Sequence, residues 1–292
     1  MTLLKALIFG ASGQDGYYLN NALLNMKIEV ICISRCNNTF KGDVSKLKDV
    51  ENFIKCHKPE YIFHLAAKSS TSHESLFENN ETISTGTLNI LESVYKYSPL
   101  SKVFITGSGV QFKNNGVPIS EKDYFDANSA YSVSRISSVY MARYYRQLGI
   151  KTYIGYLFHH ESPFRKSNHM SKKIVDFVKR IDCGDEKILT VGDITVEKEW
   201  TFAGDVVNGI LTLVMQDMVF EATIGSGLAF SIKQWIEECF SLTSGCNWRN
   251  YIEIDTSFIP EYKKLVSDPA TINTLGWQPQ VSFKELAKMM MD

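Results

Sequence analysis

Short apolar segments alternate with longer amphipathic segments along the first half of the chain. The apolar segments are rich in β-branched residues and lack strict alternation, which is typical of parallel strands covered on both faces. They predict strands at 5–10, 29–34, 61–66, 102–108 and 151–158. The amphipathic segments predict helices at 17–26, 49–57, 85–97 and 131–148. This order predicts an α/β fold with a Rossmann-type, doubly wound parallel sheet.

The alternation weakens after residue 158, where a polar, loop-like segment begins. Helical patterns return in SKKIVDFVKRI, SIKQWIEECF and the terminal SFKELAKMMM. We therefore predict a dinucleotide-binding domain over residues 1–158. Residues 159–292 are predicted to form mainly a smaller, C-terminal substrate-binding lobe, with room for strands that return to the sheet.

Composition narrows the classes of partner. The 292 residues carry a net charge of -1, so the chain has no general attraction for nucleic acid or anionic membranes. No segment reaches the roughly 18 apolar residues needed to span a bilayer, and the N-terminus lacks the pattern of a signal peptide. We expect a cytoplasmic protein that binds its partner in a pocket.

The six cysteines do not form a recognisable metal or disulfide pattern. They lie at positions 32, 36, 56, 183, 239 and 246, with no CxxC pair. We expect buried free thiols in a reducing compartment, and no metal site.

The segment GASGQDG predicts a dinucleotide-binding loop. It places Gly10, Gly13 and Gly16 directly after the first strand and at the start of a helix. Glycine allows a tight turn and close approach to a pyrophosphate, whose charge the helix N-terminus stabilises. The same loop supplies Ser12, Gln14 and Asp15 as predicted cofactor contacts.

The end of the second strand favours NADP over NAD. An acidic residue there would bind the ribose 2′-hydroxyl, but this chain has Ser34 and Arg35, which offer a cation to a 2′-phosphate. NAD stays open, because Arg35 would also suit an ordinary solvated position. Asp43 and Val44 are predicted beside the adenine, and the small residues of Leu65–Ala67 beside the cofactor backbone.

Several motifs together resemble an extended short-chain dehydrogenase/reductase of the branch that modifies nucleotide sugars. They are GASGQDGYYL, HLAAKS, GTLNILE, GYLFHHESPFR, EKEWTFAGDVV and LVSDPATINTLGWQPQVSFKEL, which cover nearly the whole chain. The resemblance is to the GDP-mannose 4,6-dehydratase family. It implies a nucleotide-sugar substrate held between the two lobes, and a homodimer formed through the helices at 85–97 and 131–148.

The resemblance assigns the chemistry to Ser108, Tyr131 and Arg135. In the family, the tyrosine exchanges a proton with a sugar oxygen while hydride moves, and a cation four residues later supports it and binds the nicotinamide ribose. Here that cation is arginine instead of lysine, and its planar fork changes the donor directions. Further positions carried over are Leu157 and His160 for the cofactor, and Ser69, Gly109, Val110, His159 and Lys198 for the substrate.

Departures from the family suggest a changed reaction. Val110 stands where the dehydratases have a glutamate that moves protons during elimination, and Ile259 replaces an arginine that grips the diphosphate. Valine cannot act as an acid or base, so dehydration would need Glu121 or another distant acid.

We therefore predict NADPH-dependent reduction of a 4-keto, 6-deoxy nucleotide sugar, GDP-linked, in the biosynthesis of surface-polysaccharide sugars. The alternatives are a nucleotide-sugar 4,6-dehydratase or epimerase with a retained cofactor, and a catalytically silent nucleotide-binding homologue. For His159, a histidine hydrogen-bonded to the backbone is an equal alternative to a substrate contact.

Overall fold

The computed structural model describes residues 4–36, 40–182, 187–243 and 246–292. Cys183 lies outside these residues. The strands are β1 Lys5–Phe9, β2 Glu29–Ser34, β3 Phe40–Lys41, β4 Tyr61–His64, β5 Lys102–Ser108, β6 Lys151–Leu157, β7 His160–Glu161, β8 Leu189–Val191, β9 Glu197–Glu199, β10 Thr201–Phe202, β11 Glu221–Ile224, β12 Ala229–Ser231, β13 Ile252–Ile254 and β14 Lys264–Leu265.

The α-helices follow the amphipathic segments of the sequence. They are α1 Gln14–Asn25, α2 Leu47–His57, α3 Leu76–Asn79, α4 Gly86–Tyr97, α5 Ala130–Gln147, α6 Met170–Asp182, α7 Ala203–Val214, α8 Ile232–Ser241, α9 Ala270–Thr274 and α10 Phe283–Met291. A π-helical segment, Asn80–Thr85, joins α3 to α4.

A parallel sheet forms the centre of the fold. Within the described residues it has seven strands in the order β11-β6-β5-β4-β1-β2-β3. The chain moves outward from β1 to β2 and β3, then crosses to β4 on the other side of β1. Such a reversal leaves a crevice at the carboxyl ends of the strands, where open α/β sheets bind ligands.

Separate apolar layers cover the two faces of the sheet. Residues of α2, α4 and α5, among them Val50, Ile90 and Val139, pack on one face. Residues of α1 and α7, among them Leu19 and Ile210, pack on the other. Both faces of the sheet are therefore shielded from water, which explains why the strand sequences are runs of apolar residues. The predicted Rossmann-type, doubly wound fold is confirmed.

A smaller lobe follows, with its own core around α6, α8 and α10. Trp200 and Trp235 stack there with their ring centroids 4.4 Å apart, and both are buried. The lobe is not contiguous in sequence, because α7 and β11 return to the large sheet. The division at residue 158 stays a prediction.

The thiol prediction needs a correction. Cys239 is buried as expected, but Cys36 and Cys56 are exposed. Cys36 lies beyond the end of β2, and Cys56 lies two residues after Ile54, the last buried residue of α2. Among the described helices, none is long and apolar enough to cross a membrane.

Candidate active site

The glycine loop connects β1 to α1 in a conformation that only glycine allows. Gly10 has φ +95°, and a Cβ added there would lie 2.5 Å from the Ala66 backbone nitrogen. A Cβ on Gly16 would lie 2.6 Å from Ala11 Cα. Gly13 caps α1, so the free N–H groups of the first turn face the crevice. The loop thus packs close to the chain after β4 and leaves a backbone-lined cradle.

The cradle opens into a cleft of about 580 Å³ along the carboxyl ends of β1, β2 and β4. Ten of the predicted cofactor residues line it, namely Gly10, Ser12, Gly13, Gln14, Asp15, Gly16, Arg35, Leu65, Ala66 and Ala67. Asp43 and Val44 do not line it. The Asp43 carboxylate accepts hydrogen bonds from Ser45, and Val44 is buried in the core. Their cofactor role stays a prediction.

A second cavity, of about 300 Å³, adjoins the cleft and shares Asp15, Leu65 and Arg165 with it. Its walls include Ser69, Ser108, Val110, Tyr131, Arg135, Leu157, His159 and His160 from the predicted set. Gly109 and Lys198 do not line it. Gly109 is buried against Phe158, and Lys198 lies behind the wall beside Trp200. The substrate role of these two residues stays a prediction.

Ser108, Tyr131 and Arg135 meet in this cavity because β5 ends where α5 begins to pass over it. Ser129 caps α5, with its hydroxyl accepting the Ser132 N–H at 3.1 Å, and so fixes the first turn that carries Tyr131. Arg135, one turn later, stacks over the Tyr131 ring with its guanidinium carbon 5.0 Å from the ring centroid. The guanidinium of Arg135 therefore lies over the ring of Tyr131, on the same cavity wall.

Arg135 is a buried cation, only 3% exposed. It donates to the Thr106 carbonyl at 2.6 Å, while its Nε has no partner. No carboxylate in the described part of the chain pairs with it. Its neighbour His64 is uncharged, because burial and then the charge of Arg135 lower the pKa of His64 to about 4. A buried guanidinium that has no carboxylate partner and an unpaired Nε is suited to a polar or anionic ligand.

His159 lines the cavity, but both of its ring nitrogens face protein groups. Its Nδ1 lies 2.7 Å from the Glu199 carbonyl, and its Nε2 lies 2.8 Å from the Glu161 carboxylate. Arg165 also binds Glu161, at 2.7 Å. Burial and then Lys198 lower the pKa of His159 to about 4. The geometry is the one expected of a structural histidine, although one edge of its ring still lines the cavity.

His160 joins the glycine loop to the end of β6. Its Nε2 lies 3.0 Å from Asp15 Oδ1, and its Nδ1 lies 2.7 Å from the Phe158 carbonyl. Burial opposes the charge of His160, but Asp15 outweighs burial and raises the pKa of His160. The pair therefore fixes the point where the cofactor cleft meets the cavity.

The loop over residues 161–169 closes over the cofactor cleft and is attached to α1. The Ser162 hydroxyl donates to Gln14 Oε1 at 2.8 Å. Phe164 packs on Tyr17 and Tyr18, with ring centroids 4.1 Å and 5.8 Å away. Beyond it, Lys166, Asn168 and His169 line the cleft opposite the glycine loop. From this wall the sequence suggested only Arg165 as a phosphate contact, although the aromatic residue after HHESP was a usable signal for the rest.

The lobe contributes an acid that sequence reasoning also missed. Glu261 lines the cavity that holds Ser108 and Tyr131, and it accepts a hydrogen bond from the Thr71 hydroxyl. Glu121, the acid considered from the sequence, does not line the cavity and instead accepts from Thr271 at 2.6 Å. Ile259, two residues earlier, marked this segment as a substrate-contacting one in the family, but no motif in the sequence pointed to Glu261 itself.

The clefts fit a nicotinamide dinucleotide. A Cβ at Gly10 or Gly16 would collide with the backbone of Ala66 or Ala11 and so disturb the cradle, and the buried Arg135 Nε has no protein partner. Gly10–Gly16 would hold the pyrophosphate, and Tyr131 with Arg135 would adjoin the nicotinamide end. No group of three His, Cys, Asp or Glu side chains suited to a metal occurs in the described ranges.

The GDP-mannose 4,6 dehydratase family model matches residues 7–290, almost the whole chain. The chain belongs to this family. A relative, GDP-mannose 4,6 dehydratase 1 from Arabidopsis thaliana, is 29% identical over 320 residues, which cover 98% of this chain and 88% of the relative. The resemblance inferred from the motifs is confirmed.

Solved structures show the same fold. RMD from Pseudomonas aeruginosa, solved with NADPH, has a TM-score of 0.85 at 18% identity and covers 99% of this chain and 96% of that one. MoeE5, solved with UDP-glucuronic acid and NAD, has a TM-score of 0.87 at 19% identity over 98% and 97% of the two chains. The dehydratase-family fold is therefore preserved here from end to end.

Proposed function

We propose that this member of the dehydratase family oxidises a nucleotide sugar at C4 with a retained nicotinamide cofactor and releases a dehydrated or epimerised product. Ser108, Tyr131 and Arg135 in one cavity, continuous with the dinucleotide cleft, are the observation that carries the proposal. The family match and the names of the relatives favour this alternative over the reduction predicted above.

The first step needs a proton acceptor beside the sugar hydroxyl. When bound, the nicotinamide ring would accept the hydride that leaves C4. The Tyr131 phenolate takes the hydroxyl proton and becomes a neutral phenol. Arg135, with its guanidinium carbon 5.0 Å from the ring centroid, stabilises the phenolate before the transfer, and the Ser108 hydroxyl orients the sugar oxygen. Each of these roles uses a group that the structure places on the cavity wall.

Retention of the cofactor is supported by the loop over residues 161–169. A cofactor that returns its hydride within one turnover has no need to leave. The contacts of Phe164 with Tyr17 and Tyr18, and of Ser162 with Gln14, oppose opening of the cleft. A reductase, in contrast, must exchange its cofactor after every turnover.

Glu261 supplies the acid that the motif at Val110 lacks. After C4 is oxidised, its carboxylate would take the C5 proton and pass it to the C6 hydroxyl, which leaves as water. The hydride for C6 would come from the bound cofactor, and the proton that Tyr131 took from the C4 hydroxyl would go to C5, so that neither the cofactor nor Tyr131 changes over the cycle. The position of Glu261 on the same cavity as Tyr131 supports this assignment.

Reduction of a 4-keto nucleotide sugar is the second candidate, and Val110 is the observation that favours it. Reduction needs only hydride and one proton at C4, which Tyr131 provides. NADPH is the proposed donor for this reaction because Arg35 lies at the ribose end of the cleft. The GDP-linked sugar is proposed from the names of the relatives.

The test is to incubate the purified protein with GDP-mannose and no added cofactor. We expect a 4-keto product without net change in nicotinamide absorbance. Glu261→Gln should still reduce the bound cofactor in a single turnover but release no dehydrated product, whereas Glu121→Gln should retain activity.

Other outcomes select the other candidates. The reductase would be selected if the protein consumes NADPH with a 4-keto-6-deoxy nucleotide sugar and forms no 4-keto product from GDP-mannose. Tight dinucleotide binding without turnover across a panel of nucleotide sugars would select a silent homologue.

A homodimer is part of the proposal. Exposed apolar side chains recur at intervals of four or seven on α4 and α5, namely Leu88, Tyr95, Val133, Tyr140 and Tyr144. Residues at these spacings share a helix face. Two such faces packed together would remove this surface from water, and light scattering should then give twice the chain mass.

A further inference from the structure

A three-residue charge cluster lies at the ribose end of the cofactor cleft. The Glu78 carboxylate lies 3.2 Å from the Arg35 guanidinium and 3.5 Å from the Lys68 ammonium. All three side chains are at least one-third exposed, and both cations line the cleft. Glu78 therefore forms ion pairs with both of these cations.

The elements explain why the cluster forms at this place. Arg35 follows β2 directly, which is the position whose side chain selects between ribose hydroxyl and ribose phosphate in dinucleotide folds. Lys68 follows β4 on the other side of β1, and Glu78 reaches both from α3. A 2′-phosphate that enters here meets the two cations and the carboxylate together.

Charge decides what this arrangement favours. A phosphate monoester carries close to two negative charges at neutral pH, so it is attracted by Arg35 and Lys68 and repelled by Glu78. A ribose hydroxyl has no charge, so its electrostatic interaction with Arg35, Lys68 and Glu78 is weak. The hydrogen bond from Arg35 lowers the pKa of Glu78, so the carboxylate stays ionised at neutral pH.

We propose that Glu78 sets the choice of nicotinamide cofactor by competing with the 2′-phosphate for Arg35 and Lys68, so that the chain accepts NAD as well as NADP. This rests on the proposed use of a nicotinamide cofactor. It refines the inference from Arg35 alone, because the arginine that favours NADP is already paired.

The test measures equilibrium binding of NAD and NADP, by calorimetry, to protein stripped of bound nucleotide. Glu78→Gln removes the charge and keeps the shape. NADP should bind about tenfold more tightly, because the 2′-phosphate then no longer has to displace Glu78 from its two exposed ion pairs with Arg35 and Lys68. NAD affinity should stay within about twofold, and the gain should shrink at high salt.

Glu81→Gln is the matched control. Glu81 is exposed, lies three residues later, and forms no ion pair with Arg35 or Lys68 in the described residues. It should leave both affinities unchanged. In an Arg35→Ala, Lys68→Ala background, Glu78→Gln should lose most of its effect on NADP, since the cations it competes for are gone.

The outcomes separate this proposal from the proposed function. If wild-type protein binds both dinucleotides and Glu78→Gln leaves their ratio unchanged, the proposal for Glu78 is wrong while the enzyme assignment stands. If neither dinucleotide binds, both are overturned. Because the readout is binding, a failure to find the correct sugar does not affect it.

Discussion

Replacing Lys198 with methionine should stabilise the protein at neutral pH. Lys198 is 9% exposed, and its ammonium lies 4.9 Å from the centroid of the Trp200 ring. Burial lowers its pKa from 10.5 to about 8, with Glu161 opposing the shift and Arg165 adding to it. Burying this charge therefore lowers the free energy of unfolding. Methionine has a similar length and no charge, so it avoids this loss.

The magnitude follows from the pKa shift. A shift from 10.5 to about 8 corresponds to about 3 kcal/mol, at 1.36 kcal/mol per unit. The variant also loses the contact between the cation and Trp200, which reduces this gain in stability by about 1 to 2 kcal/mol. We expect Lys198→Met to raise the free energy of unfolding at pH 7 by about 1 to 2 kcal/mol.

The pH dependence has a definite sign. Between pH 8 and 10.5 the unfolded chain keeps the Lys198 proton and the folded chain does not. The free energy of unfolding of the wild type therefore increases with pH in this range. The advantage of Lys198→Met should therefore be largest below pH 8 and shrink towards pH 10.5. Urea unfolding of both proteins at pH 7 and pH 10 measures this difference.

Two results would contradict this expectation. One is a variant clearly less stable than wild type at pH 7, and the other is a stability difference that does not change with pH. If Lys198 also binds the substrate diphosphate, the variant should be more stable but have a raised KM, which is the usual exchange of stability for function.

Two other substitutions test the cofactor loop and the tyrosine helix. Gly10→Ala should lower the free energy of unfolding by roughly 2 kcal/mol or more and abolish dinucleotide binding, measured by denaturation and titration. Gly149→Ala, with φ +91° but open space around its Cβ, should show only the backbone strain. Arg135→Lys should raise kcat by about tenfold in steady-state assays, because a flexible ammonium can reach both phenol and ribose. A fall in kcat would show that the bond from Arg135 to Thr106 is the better arrangement.

The large sheet could be predicted from the sequence because its signal is local. A strand buried on both faces reads as an apolar run, and 102–108 matches β5 residue for residue. The segment before α4 could not be read in this way. Residues 76–85 form a short α-helix and a π-helical segment, which continue into α4 at Gly86 without a break in the helix.

Contacts between distant segments were beyond the reach of local patterns. The sequence placed Arg35 correctly at the end of β2, yet its partner Glu78 lies 43 residues later. Asp43 shows the converse, because its place after β2 suggested the adenine, while its carboxylate is used by Ser45 in a local turn. A short polar side chain in a turn tends to bond its own backbone neighbourhood, and spacing alone does not reveal this.

The substitution at Val110 shows why a missing motif residue is weak grounds for a missing reaction. The motif fixes which strand end carries the acid, but proton transfer depends only on which groups reach the cavity. The Thr71–Glu261 hydrogen bond, between residues 190 positions apart, brings a carboxylate from the lobe to the wall that holds Tyr131. A change at Val110 therefore removes one acid from the cavity and leaves another. If Glu261 is the acid, as we propose, elimination requires it and reduction does not, so its replacement by glutamine should separate the two reactions.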